Sequence, residues 1–308
     1  MKTVTSVSGG QSSAYIAANY PSDFLIFALV CIEDPACTPK DAKLVQEVSD
    51  RIGREFIATA EDDVILHTML DLEQYLGQRI DWVAGATFDD VAQNRGGWLP
   101  NKLHRYCTVE MKIKPMFEWW RNNCLIQEGE PVKMQIGFRA GEQRRAKKMQ
   151  DRLNADGLLE EKAIIGQHSN GNNKWAHIPW QRPSFPMIEN GIRRDDVVEF
   201  WRGKPVRFAE RNNCVGCFHR NAMLLRLMAD KHPSKFAWFE RIEQEKLQVI
   251  RSKREEKGIE EDEHGRVNGR YQGTWKDETT YKKIRQHKMQ SQMDFDDFSE
   301  CDSGHCGL

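Results

Sequence analysis

The chain lacks any uninterrupted apolar run near the roughly 18 residues that a spanning helix requires, which argues against a membrane-spanning helical protein. The start, Met1-Lys2-Thr3-Val4-Thr5, lacks the charged, apolar and small-residue regions of an export signal and runs straight into a strand-like pattern, so a cytoplasmic protein is expected. Charge of one sign is also missing: 45 basic and 46 acidic residues leave a net charge of −1, and no global field draws the molecule to nucleic acid or anionic lipid. There is no internal repeat. The Walker pattern Gly-x-x-x-x-Gly-Lys-Ser/Thr is absent as well.

What is present is a soluble-protein composition, 39% hydrophobic and 30% charged over 308 residues, enough to bury a sizeable core. Eight cysteines in a chain expected among cytosolic reductants argue for metal or thiol chemistry rather than a disulfide framework. The pattern along the chain alternates between strand and helix periods. Strands are expected at 3–7, 24–31, 55–58 and 132–138, with helices at 12–19, 40–52, 112–122, 195–201 and 222–229. Such alternation predicts an α/β fold, a parallel sheet with helices on both faces. Residues 166–174 are polar turn formers and read as an exposed tip or flap. Beyond about residue 245 the chain becomes highly charged and poor in aliphatics, so the expected division is a nucleotide-binding domain over 1–245 and a charged helical extension with a cysteine-containing tail over 246–308.

A strand that runs through Ser8-Gly9-Gly10-Gln11-Ser12-Ser13 into a helix has a physical use. Glycines let backbone N–H groups converge on one point, the helix start adds partial positive charge, and Ser8 and Ser13 offer hydroxyl donors. Phosphate fits such a concavity, although a plain strand-to-helix turn uses the same residues. Cys214-Val215-Gly216-Cys217 has the separation used for zinc or iron–sulfur ligation. His219 is either a further ligand or a surface residue, and Cys31, Cys37 and Cys124 have no partner spacing. Glu33, after the second strand, is open to two readings, a contact to ribose or metal-bound water and an ordinary loop carboxylate.

The turn resembles the Ser-Gly-Gly-x-x-Ser loop of the PP-loop ATP pyrophosphatases, in the branch of the phosphoadenosine-phosphosulfate (PAPS) reductases and related sulfurtransferases. Further stretches resemble that branch in order: His104-Arg105-Tyr106-Cys107-Thr108 with Lys112 and Pro115; Ile136-Gly137-Phe138-Arg139-Ala140-Gly141-Glu142 with Arg144 and Arg145; Pro186-Met187-Ile188; and Asn213-Cys214-Val215-Gly216-Cys217. The resemblance covers roughly residues 3–243. It implies a Rossmann-like sheet of the adenine nucleotide alpha hydrolase type with a C-terminal helical extension. It also implies an ATP, PAPS or APS site with Mg²⁺ formed by Ser8, Gly9, Gly10, Gln11, Ser12, Ser13, Lys112, Arg139 and Glu142. Many family members carry Lys or Arg where this chain has Gln11, and Asp where it has Ser12, which leaves backbone donors, Mg²⁺ or Lys112, Arg139, Arg144 and Arg145 to balance the phosphates.

Within the resemblance, Cys107 joins Cys214 and Cys217 as a three-cysteine set for a [4Fe–4S] cluster, with zinc as the alternative. Cys306, in the ending Cys301-Asp302-Ser303-Gly304-His305-Cys306-Gly307-Leu308, resembles a shortened form of the reductases' nucleophilic tail, and the pair Cys301 and Cys306 is equally open to metal ligation or to no role. Three functions follow as expectations: ATP-dependent adenylation coupled to sulfur transfer; a sulfonucleotide reductase with Cys306 as nucleophile; and a zinc-stabilised nucleotide-binding module without catalysis. The acceptor is unspecified, with nucleic acid or a nucleobase among the candidates, no membrane partner is expected, and a homodimer is compatible with the sequence.

Overall fold

The computed structural model describes residues 1–102, 104–123, 129–262, 266–270 and 272–288. Its centre is a six-stranded sheet in the order β5-β2-β1-β6-β8-β7, built from β1 (Thr3–Val7), β2 (Phe24–Ala28), β5 (Ile80–Val83), β6 (Val132–Gln135), β7 (Leu159–Gln167) and β8 (Asn173–Ser184). Five strands run parallel, and only β7 is antiparallel to its neighbour. The protein is therefore α/β, with a mostly parallel central sheet flanked by helices.

Both faces of the sheet are apolar because both are covered. Along β2, Leu25 and Phe27 enter one core while Ile26 and Ala28 enter the opposite one. The first core is closed by α1 (Gln11–Asn19), α2 (Ala42–Ile52) and α3 (Val64–Leu76), through Ala14, Ile16, Leu44, Val48, Leu66 and Met69. Helix α2 starts where Asp41 accepts the N–H groups of Lys43 and Leu44, and stops at Gly53, whose φ of 68° suits a left-handed cap. After α4 (Phe88–Asn94) the second face is covered by α5 (Lys114–Asn122) with Met116, Phe117 and Trp120, and by α6 (Gln143–Gln150) with Ala146 and Met149. Pro115 has no N–H to continue an α-helical ladder, and the turn just before α5 widens to a π turn at Val109–Ile113.

One expected strand changes place. The strand expected at 55–58 does not enter the parallel sheet: β4 (Ala58–Thr59) pairs antiparallel with β3 (Cys31–Ile32) in a separate ribbon. Val30 turns the chain out of the sheet, its carbonyl accepting from Ala60 N–H and Thr59 Oγ1, and β5 takes the place beside β2. The polar stretch read as an exposed tip does lie at one: residues 168–172 turn between β7 and β8, two strands that the sequence pattern did not mark.

The boundary expected at 245/246 falls inside a helix. After α7 (Arg194–Trp201) and α8 (Ala222–Lys231), α9 (Pro233–Glu256) crosses it without a break. Residues beyond it are core: Trp275, Tyr281 and Ile284, the latter two on α10 (Tyr281–Gln286), pack with Phe88, Phe236, Trp238 and Phe239. Apolar residues are scarce there but fall on the inward face, so average composition underestimates their burial. Among the described residues no helix is long and apolar enough to cross a membrane.

Glu243 of α9 ties this C-terminal segment down. Fully buried, it accepts the backbone N–H of Trp275 at 3.1 Å and that of Tyr281 at 2.6 Å. Burial pushes its carboxyl up to about 8, against the pull of those two N–H groups. A folded state that holds a proton more tightly than the unfolded chain draws full stability from it below the ordinary value of 4.5 and loses that stability as pH climbs through about 8. Glu243→Gln places an NH₂ group against one N–H donor and is expected to cost about 1–3 kcal/mol at pH 6. The gap to the unmutated protein should narrow by pH 9, as urea unfolding at both pH values will show; a widening gap contradicts the assignment.

Candidate functional site

The carboxyl ends of β1, β2 and β6 open into a cavity of about 570 Å³. In parallel sheets this is the edge where ligands sit. Its lining includes Ser8, Gly10, Gln11, Ser12 and Ser13 from the glycine turn, Lys112, Arg139 and Glu142, and all three of Cys107, Cys214 and Cys217. Of the residues assigned to the nucleotide by sequence, only Gly9 lies behind the wall. Its φ of 76° and the Ile65 side chain beneath it leave no room for a Cβ.

The turn is braced from within. Ser13 Oγ accepts from Ser8 N–H at 3.0 Å and lies 3.1 Å from both Ser8 Oγ and the Gly10 carbonyl, to which it donates. The hydroxyl expected as a phosphate donor thus shapes the loop instead. Helix α1 begins with Gly10 as an N-cap without a side-chain hydrogen bond and with no acidic residue in its first turn, so its leading N–H groups remain available to an anion. Two neighbours hold that helix start: Trp201 Nε1 donates to the Gln11 carbonyl at 3.0 Å, and Gly137 packs so close that a Cβ there would lie 3.1 Å from Ser13 N.

Arg139, Glu142 and Arg145 form one cluster. Glu142 accepts from Arg139 N–H at 2.9 Å and Arg139 Nε at 3.0 Å, and also from Arg145. Burial opposes its charge, yet these donors hold its carboxyl below the usual range. Glu142 therefore orients the arginines, and the terminal nitrogens of Arg139 donate to no described residue. Arg145 lies 4.3 Å over the Phe138 ring, and its proton affinity is lowered by burial first and by the charges of Arg139 and Arg105. Around the cavity the basic side chains Arg105, Lys112, Arg139, Arg145 and Arg194 face the acids Glu142 and Glu210, a lining suited to an anionic ligand.

Lys112 reaches the same space from the π turn and pairs at 2.9 Å with Glu61, whose side chain is fully buried. Burial disfavours the Lys112 charge, but Glu61 and the nearby Cys214 raise its proton affinity above the usual lysine range. Glu61 also fixes the cysteine turn. Its backbone bridges that of Cys214, and Val215 N–H donates to Ala60 at 2.8 Å. Gly216 is needed for space, because a Cβ there would run into the Phe239 ring.

The three thiols share a wall with their charges in reach of one another. Burial pushes Cys107 up to about 11 and Cys214 well above the usual thiol range, so both are protonated at neutral pH. Among the described residues no three His, Cys, Asp or Glu side chains are gathered closely enough to hold a metal ion. The donor types suit zinc or an iron–sulfur cluster.

His219 is buried and lines the cavity, whereas Cys31 and Cys37 are buried away from it. Glu33 is exposed and outside the cavity lining, receiving a hydrogen bond from Thr87. Arg144 and Lys148 are exposed and line none of it. Cys124, Cys301 and Cys306 lie outside the described residues. No family model, curated protein or solved structure matches this chain.

Sequence reasoning missed Glu61, Arg194 and Asn212. Only Asn212 carried a signal, as the first of two asparagines preceding the CxxC turn.

Lys112→Met should strip the counter-charge from a fully buried carboxylate and cost about 3 kcal/mol in urea unfolding. Lys112→Met combined with Glu61→Gln should recover part of that loss. A single variant as stable as the unmutated protein contradicts the pairing.

Proposed function

We propose that this protein is a cytoplasmic PP-loop enzyme of the PAPS reductase-like branch, with a Rossmann-like fold, that binds ATP with Mg²⁺ and couples adenylation of an acceptor to sulfur transfer. The observation that carries this reading is the meeting of the glycine turn, the basic residues and three cysteines in one cavity. The helix start and Arg139 hold the phosphates. An acceptor oxygen attacks the α-phosphorus and pyrophosphate leaves; sulfide, brought as a co-substrate to the cysteine wall, then attacks the activated carbon, and AMP leaves carrying the former acceptor oxygen. Positioning supplies much of the catalysis, since the cavity holds nucleotide and thiols side by side. The acceptor is an unassigned group with an activatable oxygen, for which a nucleobase is a candidate.

A second reading, a PAPS or APS reductase, draws support from three arginines of the lining: Arg145 feels the charges of Arg139 and Arg105, and Arg105 feels those of Cys107 and Cys217. Guanidinium groups so placed suit a sulfate group. Its nucleophile, Cys306, lies outside the described residues.

Calorimetry with ATP and Mg²⁺ tests the first reading. Gly10→Asp should abolish binding, Arg139→Ala should weaken it by about tenfold or more, and Lys148→Ala should leave it unchanged, a charge-assisted bond being worth about 1.5–3 kcal/mol. Binding of APS or PAPS but not ATP favours the reductase, and equal effects of the Arg139 and Lys148 variants remove Arg139 from the site.

A further inference from the structure

We infer that Asn212 is a phosphate-contacting residue of the nucleotide site, an inference that rests on the nucleotide reading above. The starting point is Gly10. Its backbone, with φ −97° and ψ 153°, is one that any residue adopts, so no turn requires a glycine there. What stands against a side chain there is Asn212: a Cβ on Gly10 would fall inside van der Waals contact distance of Asn212 Nδ2. The glycine makes room for an amide laid against the start of α1.

That amide is oriented and unspent. Asn212 Oδ1 accepts from Asn213 Nδ2 at 3.2 Å, which leaves the NH₂ end directed at the loop, and Nδ2 donates to no described residue. Both asparagines line the cavity. The backbone that presents them is fixed as well. Arg220, almost fully buried, donates to the Asn212 carbonyl at 2.5 Å, and Asn213 sits at φ 70°, a left-handed conformation that asparagine tolerates better than most residues. The next residue, Cys214, is pinned to Glu61.

An NH₂ donor in this place answers a deficit in the loop. Gln11 brings no charge, Ser13 is spent on the loop's own brace, Lys112 is paired with Glu61, and Arg139 is partly engaged by Glu142. Asn212 adds two N–H vectors beside the backbone donors of α1, so a phosphate seated there is gripped from both sides. Adenosine, which has no phosphate, makes no use of it.

The test compares ATP with Mg²⁺ against adenosine by calorimetry, with thermal unfolding to confirm that each variant is folded. Asn212→Asp keeps the shape and reverses the electrostatics; it should weaken ATP at least tenfold and leave adenosine within twofold. Asn212→Ala should weaken ATP about three- to tenfold, and it serves alone if the Asp variant does not fold. ATP affinity unchanged in the folded variants, or lowered equally for ATP and adenosine, overturns the role of Asn212 while the nucleotide reading stands. If the unmutated protein binds no adenine nucleotide, that reading falls and this inference with it.

Discussion

The short backbone pairing between residues 60–61 and 214–215 is the constraint on which the cavity depends. Two segments more than a hundred residues apart meet there through Val215 N–H and the Ala60 carbonyl, and through the bridge of Glu61 with Cys214. The contact sets one wall of the cavity: it places the CxxC turn opposite the glycine loop, lays Asn212 on Gly10, and brings Cys214 beside the Lys112–Glu61 pair. A buried carboxylate is costly unless neutralised, so Glu61 draws Lys112 inward, and the π turn before Pro115 supplies the lysine at the required place.

The C-terminal segment holds that wall from behind. Tyr281 donates its hydroxyl to the Gly216 carbonyl at 2.9 Å, and Lys276 donates to the carbonyls of Phe218 and Arg220. These bonds engage backbone groups that an irregular turn cannot satisfy by itself. Glu243 anchors Trp275 and Tyr281 in turn, and the aromatic core around Phe88, Phe239 and Trp275 fills the space beneath. The cysteine turn therefore rests on residues that a domain division at 245/246 would have detached.

Part of the charge around the cavity is consumed by structure. Lys112 neutralises a buried glutamate, while Arg139 and Arg145 share Glu142 and keep donors or field in reserve. Glu142 fixes both guanidinium groups, and a pre-oriented arginine loses less freedom on meeting an anion than a mobile one. The neutral donors of α1 and Asn212 complete the lining without adding further like-charge repulsion.

Much of the first half of the fold was legible in the sequence, because strand and helix periods there are local and both faces of the sheet are buried. Residues 3–7, 11–19, 24–28 and 42–52 have boundaries close to those expected, and the glycine turn announces itself between the first two. The short strand at 80–83 and the departure of 58–59 from the parallel sheet were not legible, since pairing partners are chosen by tertiary contacts rather than by four residues of pattern. The sequence by itself determined the α/β alternation, the glycine turn between the first strand and helix, and the presence of a CxxC. Only the tertiary structure decided that Cys107 and the CxxC share one cavity, that Ser13 braces the loop while Asn212 faces it, and that the charged C-terminal segment contributes core. Those outcomes depend on distances between residues far apart in the chain, and no local periodicity encodes them.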